Sequence, residues 1–219
     1  MSTDERYSRQ RDLVPTDRLA SCRATVIGVG AIGRQVALQL AAVGISSMQL
    51  VDFDVVEESN LASQGYLEAD LGRPKVQATA ELCRKVSGGL DVCEAAERFR
   101  RSMVVGNAVF CCVDKVDIRG LIWESVRRAA DFFCDGRMSA EVLRVITASD
   151  AAGREHYPQT LFAPEEAYVG SCTAKSTIYC ANVAAGMMLA QFTKWLRGLP
   201  VDMDLSLNLL AGELSVASP

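Results

Sequence analysis

ATVIGVGAIGRQVALQLAAV, residues 24–43, decides the fold of this chain. A short run rich in β-branched residues, Ala24 to Ile27, ends in glycines, and apolar residues at helical spacing follow over residues 31–43. This pattern predicts a strand, a tight turn and a helix. A second short strand, Met48 to Val51, closes a βαβ unit and places Asp52 at its carboxyl end.

Strand and helix patterns continue to alternate along the chain. Further strands are predicted over residues 91–95, 108–113, 132–134 and 142–147, and further helices over residues 74–87, 117–130 and 174–196. This alternation predicts an α/β fold with a doubly wound, mostly parallel, Rossmann-like sheet. Two segments near the C-terminus, residues 204–210 and 213–216, alternate polar and apolar residues and predict a β-hairpin.

The 219 residues fit one domain spanning residues 1–219. We expect four parts within it: an N-terminal arm (1–20), a nucleotide-binding core (24–148), a loop (149–173), and a helix plus hairpin (174–219). The loop prediction rests on the lack of periodicity after residue 149, and loops of this length tend to be functional or mobile. His156, the one histidine, is expected to be solvated there.

Composition excludes several functional classes. A formal net charge of −4 gives no broad attraction to nucleic acid, so no nucleic-acid partner is expected. The longest apolar stretch, residues 178–192, is shorter than a membrane span and predicts a buried helix, so no membrane partner is expected. The polar first residues indicate no secretory signal, which favours a cytoplasmic location. Eight cysteines without any C-x-x-C pair favour reduced thiols and no structural zinc.

The glycine motif Gly28-Val-Gly30-Ala31-Ile32-Gly33 predicts nucleotide binding. Its glycines let backbone N–H groups approach a phosphate at a helix N-terminus, and Asp52, nineteen residues beyond Gly33, is placed to accept ribose hydroxyls. The alternative is a tight turn needed only for packing the helix on the strand. The motif alone does not choose between a nicotinamide cofactor and ATP.

Four further motifs occur in a fixed order around the glycine motif. They are Arg6-Tyr-Ser-Arg9-Gln10, Val51-Asp52-Phe-Asp54 followed by Asn60-Leu-Ala-Ser63-Gln64, Gly72-Arg-Pro-Lys75, and Cys112-Val-Asp114. The ordered set resembles the ubiquitin-activating-enzyme-like adenylyltransferases, the ThiF/MoeB-like activators of ubiquitin-like or sulfur-carrier proteins. The resemblance spans residues 6 to about 197.

The resemblance implies a reaction. Members of this family bind ATP with Mg²⁺ and join the C-terminal glycine carboxylate of a small carrier protein to the α-phosphate, which releases pyrophosphate. The expected partners are therefore a ubiquitin-like or sulfur-carrier protein with a C-terminal Gly-Gly tail and a second copy of this chain in a homodimer. Because an anionic carboxylate must approach anionic phosphates, the site must supply positive charge.

By the same resemblance, individual residues acquire roles. Lys75 contacts the phosphates, Asp114 helps bind magnesium, and Asp52 holds the ribose. Arg9 resembles an arginine that reaches ATP from the other subunit, while Asn60 and Gln64 face the phosphates. The simpler alternatives are a solvated first-turn lysine for Lys75, a helix cap for Asp114, a disordered arm around Arg9, and turn residues for Asn60 and Gln64.

The roles of two further residues, Asp54 and Cys172, are less defined by the resemblance. Asp54 is either an ordinary loop acid or a second magnesium contact. Cys172 precedes the long helix where some relatives place the cysteine that receives the activated carrier, and a thiol near a helix N-terminus gains thiolate character. Its alternative is a structural cap or a small core residue.

The sequence departs from the family pattern at Ser63, where the family has a phosphate-binding arginine. Losing one such cation costs about 2–4 kcal/mol of transition-state stabilisation. Arg34 or Arg73 offers a replacement, although either is equally an ordinary surface arginine. Two alternative functions therefore stay open: an NAD-dependent oxidoreductase, and a weakened or inactive nucleotide-binding scaffold.

Overall fold

The computed structural model describes residues 3–161 and 176–217. The strands are β1 Arg23–Ile27, β2 Ser47–Val51, β3 Asp91–Ala95, β4 Ala108–Cys111, β5 Phe132–Ser139, β6 Val142–Ala148, β7 Asp204–Asn208 and β8 Glu213–Val216. The α-helices are α1 Thr3–Arg6, α2 Thr16–Ala20, α3 Ala31–Val43, α4 Glu58–Gln64, α5 Lys75–Val86, α6 Val116–Val126, α7 Ala151–His156 and α8 Ile178–Leu196. Short 3-10 helices cover Ser8–Gln10, Glu68–Asp70 and Tyr157–Thr160.

All eight strands belong to one sheet in the order β3-β2-β1-β4-β5-β6-β7-β8, and the first five are parallel. Alternate residues of the central strands face opposite sides, and both sides are buried, with Val26 and Phe110 in one cluster and Ile27 and Cys111 in the other. Helices α3, α5 and α8 contribute to the first cluster and α6 to the second. The doubly wound, mostly parallel sheet is confirmed.

The second half of the sheet is antiparallel. Strand β5 extends five residues past its predicted end at Cys134, and Ala140, with a φ of 54°, turns the chain into β6. Gly136 lets α8 approach β5 closely, because a Cβ built there would lie 2.5 Å from the Sδ of Met188. The C-terminal hairpin is confirmed, since Leu205 pairs with Val216 across β7 and β8.

The predicted loop after residue 149 is wrong over its first part. Residues 151–160 form α7 and a 3-10 helix, and the Asp150 side chain caps α7 by accepting from the Gly153 N–H at 2.8 Å. Tyr157 anchors this segment because its ring packs against Trp123 and Phe133 with centroids 4.8 Å away. The rest of the predicted loop, residues 162–173, lies outside the described residues.

The N-terminal arm contains α1, a 3-10 helix and α2, separated by turns, and it packs on the far end of the sheet from the glycine motif. The Gln10 amide donates to the carbonyl of Val43 at the end of α3 (2.8 Å), and the Tyr7 ring lies over Gly44. Within residues 3–161 and 176–217, no helix combines the length and apolar character that crossing a membrane requires.

Asp204, the first residue of β7, connects β6 and α7 through its carboxylate. Its carboxylate accepts two hydrogen bonds from Arg144 (2.8 and 2.6 Å), and the Nε2 of His156 lies 2.8 Å from Oδ2. His156 is therefore partly buried and paired, and the expectation of a solvated histidine is wrong. Burial alone would raise the pKa of Asp204, but hydrogen bonds from Arg144 and His156 outweigh burial and hold this pKa below its ordinary value.

We expect Asp204→Asn to flatten the acid limb of the stability profile. A carboxylate whose pKa is lower in the folded than in the unfolded state stabilises the fold above its unfolded pKa of about 4, and this contribution is lost as pH falls through the folded pKa. Urea unfolding between pH 7 and pH 3 measures the effect. Asp12→Asn, which changes an exposed carboxylate, is the control. Equal acid slopes in wild type and Asp204→Asn would contradict this account.

Candidate functional site

The first and last glycines of the motif are required by the packing of the chain itself. Gly28 has a φ of 86°, and a Cβ built on it would lie 2.8 Å from the backbone of Cys112. A Cβ on Gly33 would lie 1.8 Å from the carbonyl oxygen of Gly28. These glycines let α3 begin against β1 and let β1 lie close to the end of β4.

Gly30 differs, because no atom of the described residues occupies the space that a side chain would fill. The nearest atom to a Cβ built there is the Oε1 of Gln64 at 3.8 Å. That oxygen is buried and has no hydrogen-bond partner among the described residues. The first N–H groups of α3, at Ala31 and Ile32, have no carbonyl partner within the helix. The loop thus leaves open space beside free donors and an unsatisfied amide, which is the form of a phosphate-binding turn.

Asp52 braces the glycine loop. Its Oδ2 accepts from the Val29 N–H at 2.6 Å, and its Oδ1 accepts from the Asp54 N–H at 2.9 Å. Burial raises the pKa of Asp52, and the two backbone hydrogen bonds and the charge of Lys75 oppose that shift without cancelling it. Each oxygen keeps a further lone pair for a ligand hydroxyl.

Lys75 lies in a cleft beyond the end of β2. Its side chain is 7% exposed, and its Nζ is 3.4 Å from the Oδ2 of Asp54, which itself is half exposed. The alternative of a solvated first-turn lysine is therefore wrong. The cleft has a volume of about 350 Å³ and is lined by Phe53, Asp54, Val55, Glu57, Asn60 and Lys75.

Asn60 and Gln64 stand on α4, between the cleft and the glycine loop. The Oδ1 of Asn60 accepts from the Glu57 N–H at 3.0 Å, so this side chain caps its own helix while lining the cleft. The carbonyl of Gln64 accepts from the Gln35 amide at 3.1 Å, which ties the end of α4 to α3. The structure thus brings Asn60 together with Lys75 in the cleft and places the Gln64 amide beside Gly30.

Asp114 follows β4 and is exposed at the same edge of the sheet. It does not cap the next helix, because α6 has Lys115 at its N-cap position and no side-chain cap. Among the described residues Asp114 has no hydrogen bond or ion pair, so its carboxylate is available to a ligand. The backbone just before it lies against Gly28.

A buried network that sequence reasoning missed supports this turn. Arg119 is 5% exposed at its side chain, donates to the carbonyl of Val113, and forms an ion pair with the fully buried Asp135. Asp135 also accepts from the hydroxyl of Tyr157 at 2.9 Å and from Arg137 at the same distance. Burial lowers the pKa of Arg119. The network fixes the residue that precedes Asp114.

Neither arginine considered as a replacement for the missing family arginine is free. Arg34 is buried, donates to the carbonyl of Gly65 at 3.0 Å, and lies 4.1 Å over the ring of Tyr66. Arg73 forms ion pairs with Glu81 at 2.7 Å and with Asp70. The hydroxyl of Ser63 donates to the carbonyl of Ser59 within its own helix at 2.9 Å.

Arg9 is not part of its own chain's site. The arm that carries it packs at the end of α3, and a helix of 13 residues spans about 20 Å from the glycine loop to that end. Cys172 lies outside the described residues. Cys111 is buried on β4, and Cys112 is partly buried beside it.

No three His, Cys, Asp or Glu side chains among the described residues group closely enough to hold a metal ion by themselves. The expected lack of structural zinc stays a prediction. Magnesium requires fewer protein ligands than such a cluster provides, since it commonly takes one or two carboxylates and completes its coordination shell with phosphates and water. The exposed Asp114 meets that requirement.

Other site residues were also missed. The hydroxyl of Tyr66 donates to the carbonyl of Val29 at 2.6 Å, which fixes the glycine loop from the side of α5. Phe53 and Arg98 pair at the rim of the cleft. The position of Phe53 directly after Asp52 was a sequence signal that it lines the cleft. No local sequence pattern indicates a role for Tyr66 or Arg98.

The chain is similar to several known proteins. The model of the ThiF family matches residues 7–212. The mouse adenylyltransferase and sulfurtransferase MOCS3 is 38% identical over 56% of this chain and 29% of its own length. The SAMP-activating enzyme E1 of Haloferax volcanii is 37% identical over 46% of this chain and 39% of its own length. This chain therefore matches less than half the length of either relative.

Solved structures show the same fold at low sequence identity. E. coli MccB superposes with a TM-score of 0.83 over 99% of this chain and 70% of its own, at 17% identity. A second structure of MccB, with ATP, gives a TM-score of 0.77.

We expect Gly30→Ala to impair nucleotide binding and Gly33→Ala to lower the stability of the fold. Gly30→Ala meets no atom within 3.4 Å, so it should lose about 1 kcal/mol of stability or less while blocking nucleotide binding at the open turn. Gly33→Ala must displace the Gly28 carbonyl and should lose about 1–3 kcal/mol of stability. Urea unfolding and calorimetry with nucleotide measure the two effects. Normal nucleotide binding by Gly30→Ala would show that the ligand does not lie against this turn.

Proposed function

Because the chain belongs to the ThiF family, we propose that it binds ATP with Mg²⁺ and adenylates the C-terminal glycine carboxylate of a ubiquitin-like or sulfur-carrier protein. One observation carries the proposal: the open turn at Gly30 lies between the buried cation of Lys75 and the free carboxylate of Asp114. These are the groups that a triphosphate and its metal require at the carboxyl edge of a parallel sheet.

The residues fit the nucleotide as follows. The N–H groups at the start of α3 and the space at Gly30 receive phosphate, with Gly28 and Gly33 shaping the turn. Asp52 accepts the ribose hydroxyls. Lys75 leaves Asp54 for a phosphate oxygen, Asn60 lines the phosphate side of the cleft, and Gln64 faces the open turn at Gly30.

Asp114 holds the metal, and Asp54 becomes a second contact once Lys75 has moved. Bound magnesium supplies positive charge that neutralises the phosphates. In the reaction, a carboxylate oxygen of the carrier forms a bond to the α-phosphorus. The bond from that phosphorus to the oxygen bridging to the β-phosphate breaks, and pyrophosphate leaves with its electron pair. The chain's task is to hold the two anions in line and balance their charge.

We further propose that Cys172 accepts the activated carrier. Its thiolate would attack the carbonyl carbon of the acyl adenylate, form a thioester and release AMP. The support is the sequence position of Cys172 before α8.

A homodimer is proposed because Arg9 lies about one helix length from its own glycine loop. In the dimer, Arg9 of one subunit supplies charge to the nucleotide of the other. Two rival functions make different predictions. An NAD-dependent oxidoreductase would bind NADH rather than ATP in calorimetry and leaves Lys75 and Asp114 without a role. A scaffold without activity would bind ATP but not catalyse exchange.

Exchange of labelled pyrophosphate into ATP, dependent on a carrier ending in Gly-Gly, tests the proposed function. We expect Asp114→Ala to lower the exchange rate by at least a hundredfold, because the metal loses its protein ligand. Asp117→Ala, three residues further in the first turn of α6, is the matched control and should exchange normally. Near-normal exchange by Asp114→Ala would remove Asp114 from the site.

The dimer is tested by mixing two inactive variants. Arg9→Ala and Lys75→Ala should each lose exchange, while a heterodimer of the two contains one site with both residues intact. We expect the mixture to regain up to about a quarter of wild-type activity if subunits exchange randomly, since half of the dimers are heterodimers with one of two sites restored. Mass spectrometry verifies heterodimer formation. Heterodimers without recovered activity would show that Arg9 does not act across subunits.

A further inference from the structure

Arg98 and Phe53 form a stacked pair at the rim of the cleft. The guanidinium carbon of Arg98 lies 3.7 Å from the centroid of the Phe53 ring. Phe53 is 49% exposed although it is large and apolar, and it lines the same cleft as Lys75. The pair therefore presents a flat, cationic surface to solvent next to the proposed nucleotide site.

The stacking is the one contact that holds Arg98 among the described residues. Its neighbour Arg100 forms an ion pair with Glu97 at 3.2 Å, and Arg84 pairs with Glu94 at 2.7 Å. Arg98 has no such carboxylate, so its N–H donors and the outer face of its guanidinium are free.

The order of the strands places Arg98 and Phe53 on the β3 side of Asp52, the residue proposed to hold the ribose. Asp52 follows β2, which lies between β1 and β3. The glycine loop follows β1, whereas Arg98 follows β3 by three residues, and the N–H of Asp52 donates to the carbonyl of Ala95 at the end of β3. Because the ribose of ATP joins the triphosphate to the base, a triphosphate at the glycine loop directs the base toward β3.

We propose that Arg98, held flat by Phe53, stacks on the purine base of the nucleotide. The guanidinium is planar and delocalised, so it stacks on an aromatic ring with each of its two faces. This inference rests on the proposed ATP-dependent activity and adds a residue that recognises the base. It predicts that Arg98 matters for nucleotides and not for inorganic phosphates.

Calorimetry of the full chain tests this inference with two probes, MgATP and magnesium tripolyphosphate, which lacks the base and ribose. Arg98→Ala should weaken MgATP binding about tenfold and leave tripolyphosphate binding within twofold of wild type. Arg98→Lys keeps the charge but lacks the plane, so it should also lose at least fivefold for MgATP. Arg100→Ala, on the same loop, is the control and should bind both ligands as wild type does.

Four outcomes would overturn the inference. Unchanged MgATP binding by Arg98→Ala, or full retention by Arg98→Lys, would exclude stacking on the base. An equal loss for MgATP and tripolyphosphate would assign Arg98 to the phosphates. Failure of the wild-type chain to bind MgATP would overturn the proposed function as well. The wild-type titration therefore separates failure of the proposed function from failure of the role of Arg98 alone.

Discussion

The close contact between the start of α3 and the end of β1 is the constraint on which the site depends. With no side chain at Gly33, α3 begins directly over the Gly28 carbonyl, and with none at Gly28 the end of β4 reaches the same turn. Val29, between them, is held from both sides, because its N–H donates to Asp52 and its carbonyl accepts from Tyr66. One turn thus contacts residues that follow β2, β4 and α4, namely Asp52, Cys112 and Tyr66. Asp114 also follows β4, Asn60 and Gln64 lie on α4, and Lys75 begins α5.

Much of the cationic charge near this turn stabilises the backbone and is not free for a ligand. Arg34 holds the carbonyl that ends α4, and Arg119 holds the carbonyl before Asp114. A buried guanidinium needs several acceptors to offset its loss of hydration, and carbonyls at helix and strand ends supply them. Each arginine therefore fixes a turn that carries an acid or amide of the site, which gives it a positioning role although it faces away from the cleft.

The sequence predicted the parallel half of the fold well because periodicity there is local. Strands β1 to β4 and helices α3 and α5 each carry their own pattern, and the glycine motif fixes one crossover. Periodicity failed after residue 149, where α7 depends on burial of Tyr157 against distant residues and not on a pattern of its own. The acids at strand ends were also predictable from topology. Arg119, Tyr66 and Arg98 were not, because their partners are brought close only by the folded chain.

The balance of charge in the cleft explains why the proposed reaction needs positive charge from outside it. Asp54 and Glu57 face Lys75 there, so the lining of the cleft has no positive excess to offer a triphosphate. Ser63 adds a hydroxyl that is bonded within its helix, and Arg34 and Arg73 are engaged elsewhere. Two anions brought together in a cleft of reduced dielectric repel strongly unless positive charge accompanies them. The charge must therefore come from outside the cleft lining, which is consistent with the proposed roles of a magnesium ion at Asp114 and of Arg9 from a second subunit. Under the proposed function, the site is complete only when metal, nucleotide and both subunits are present, while the internal arginines hold the backbone in place.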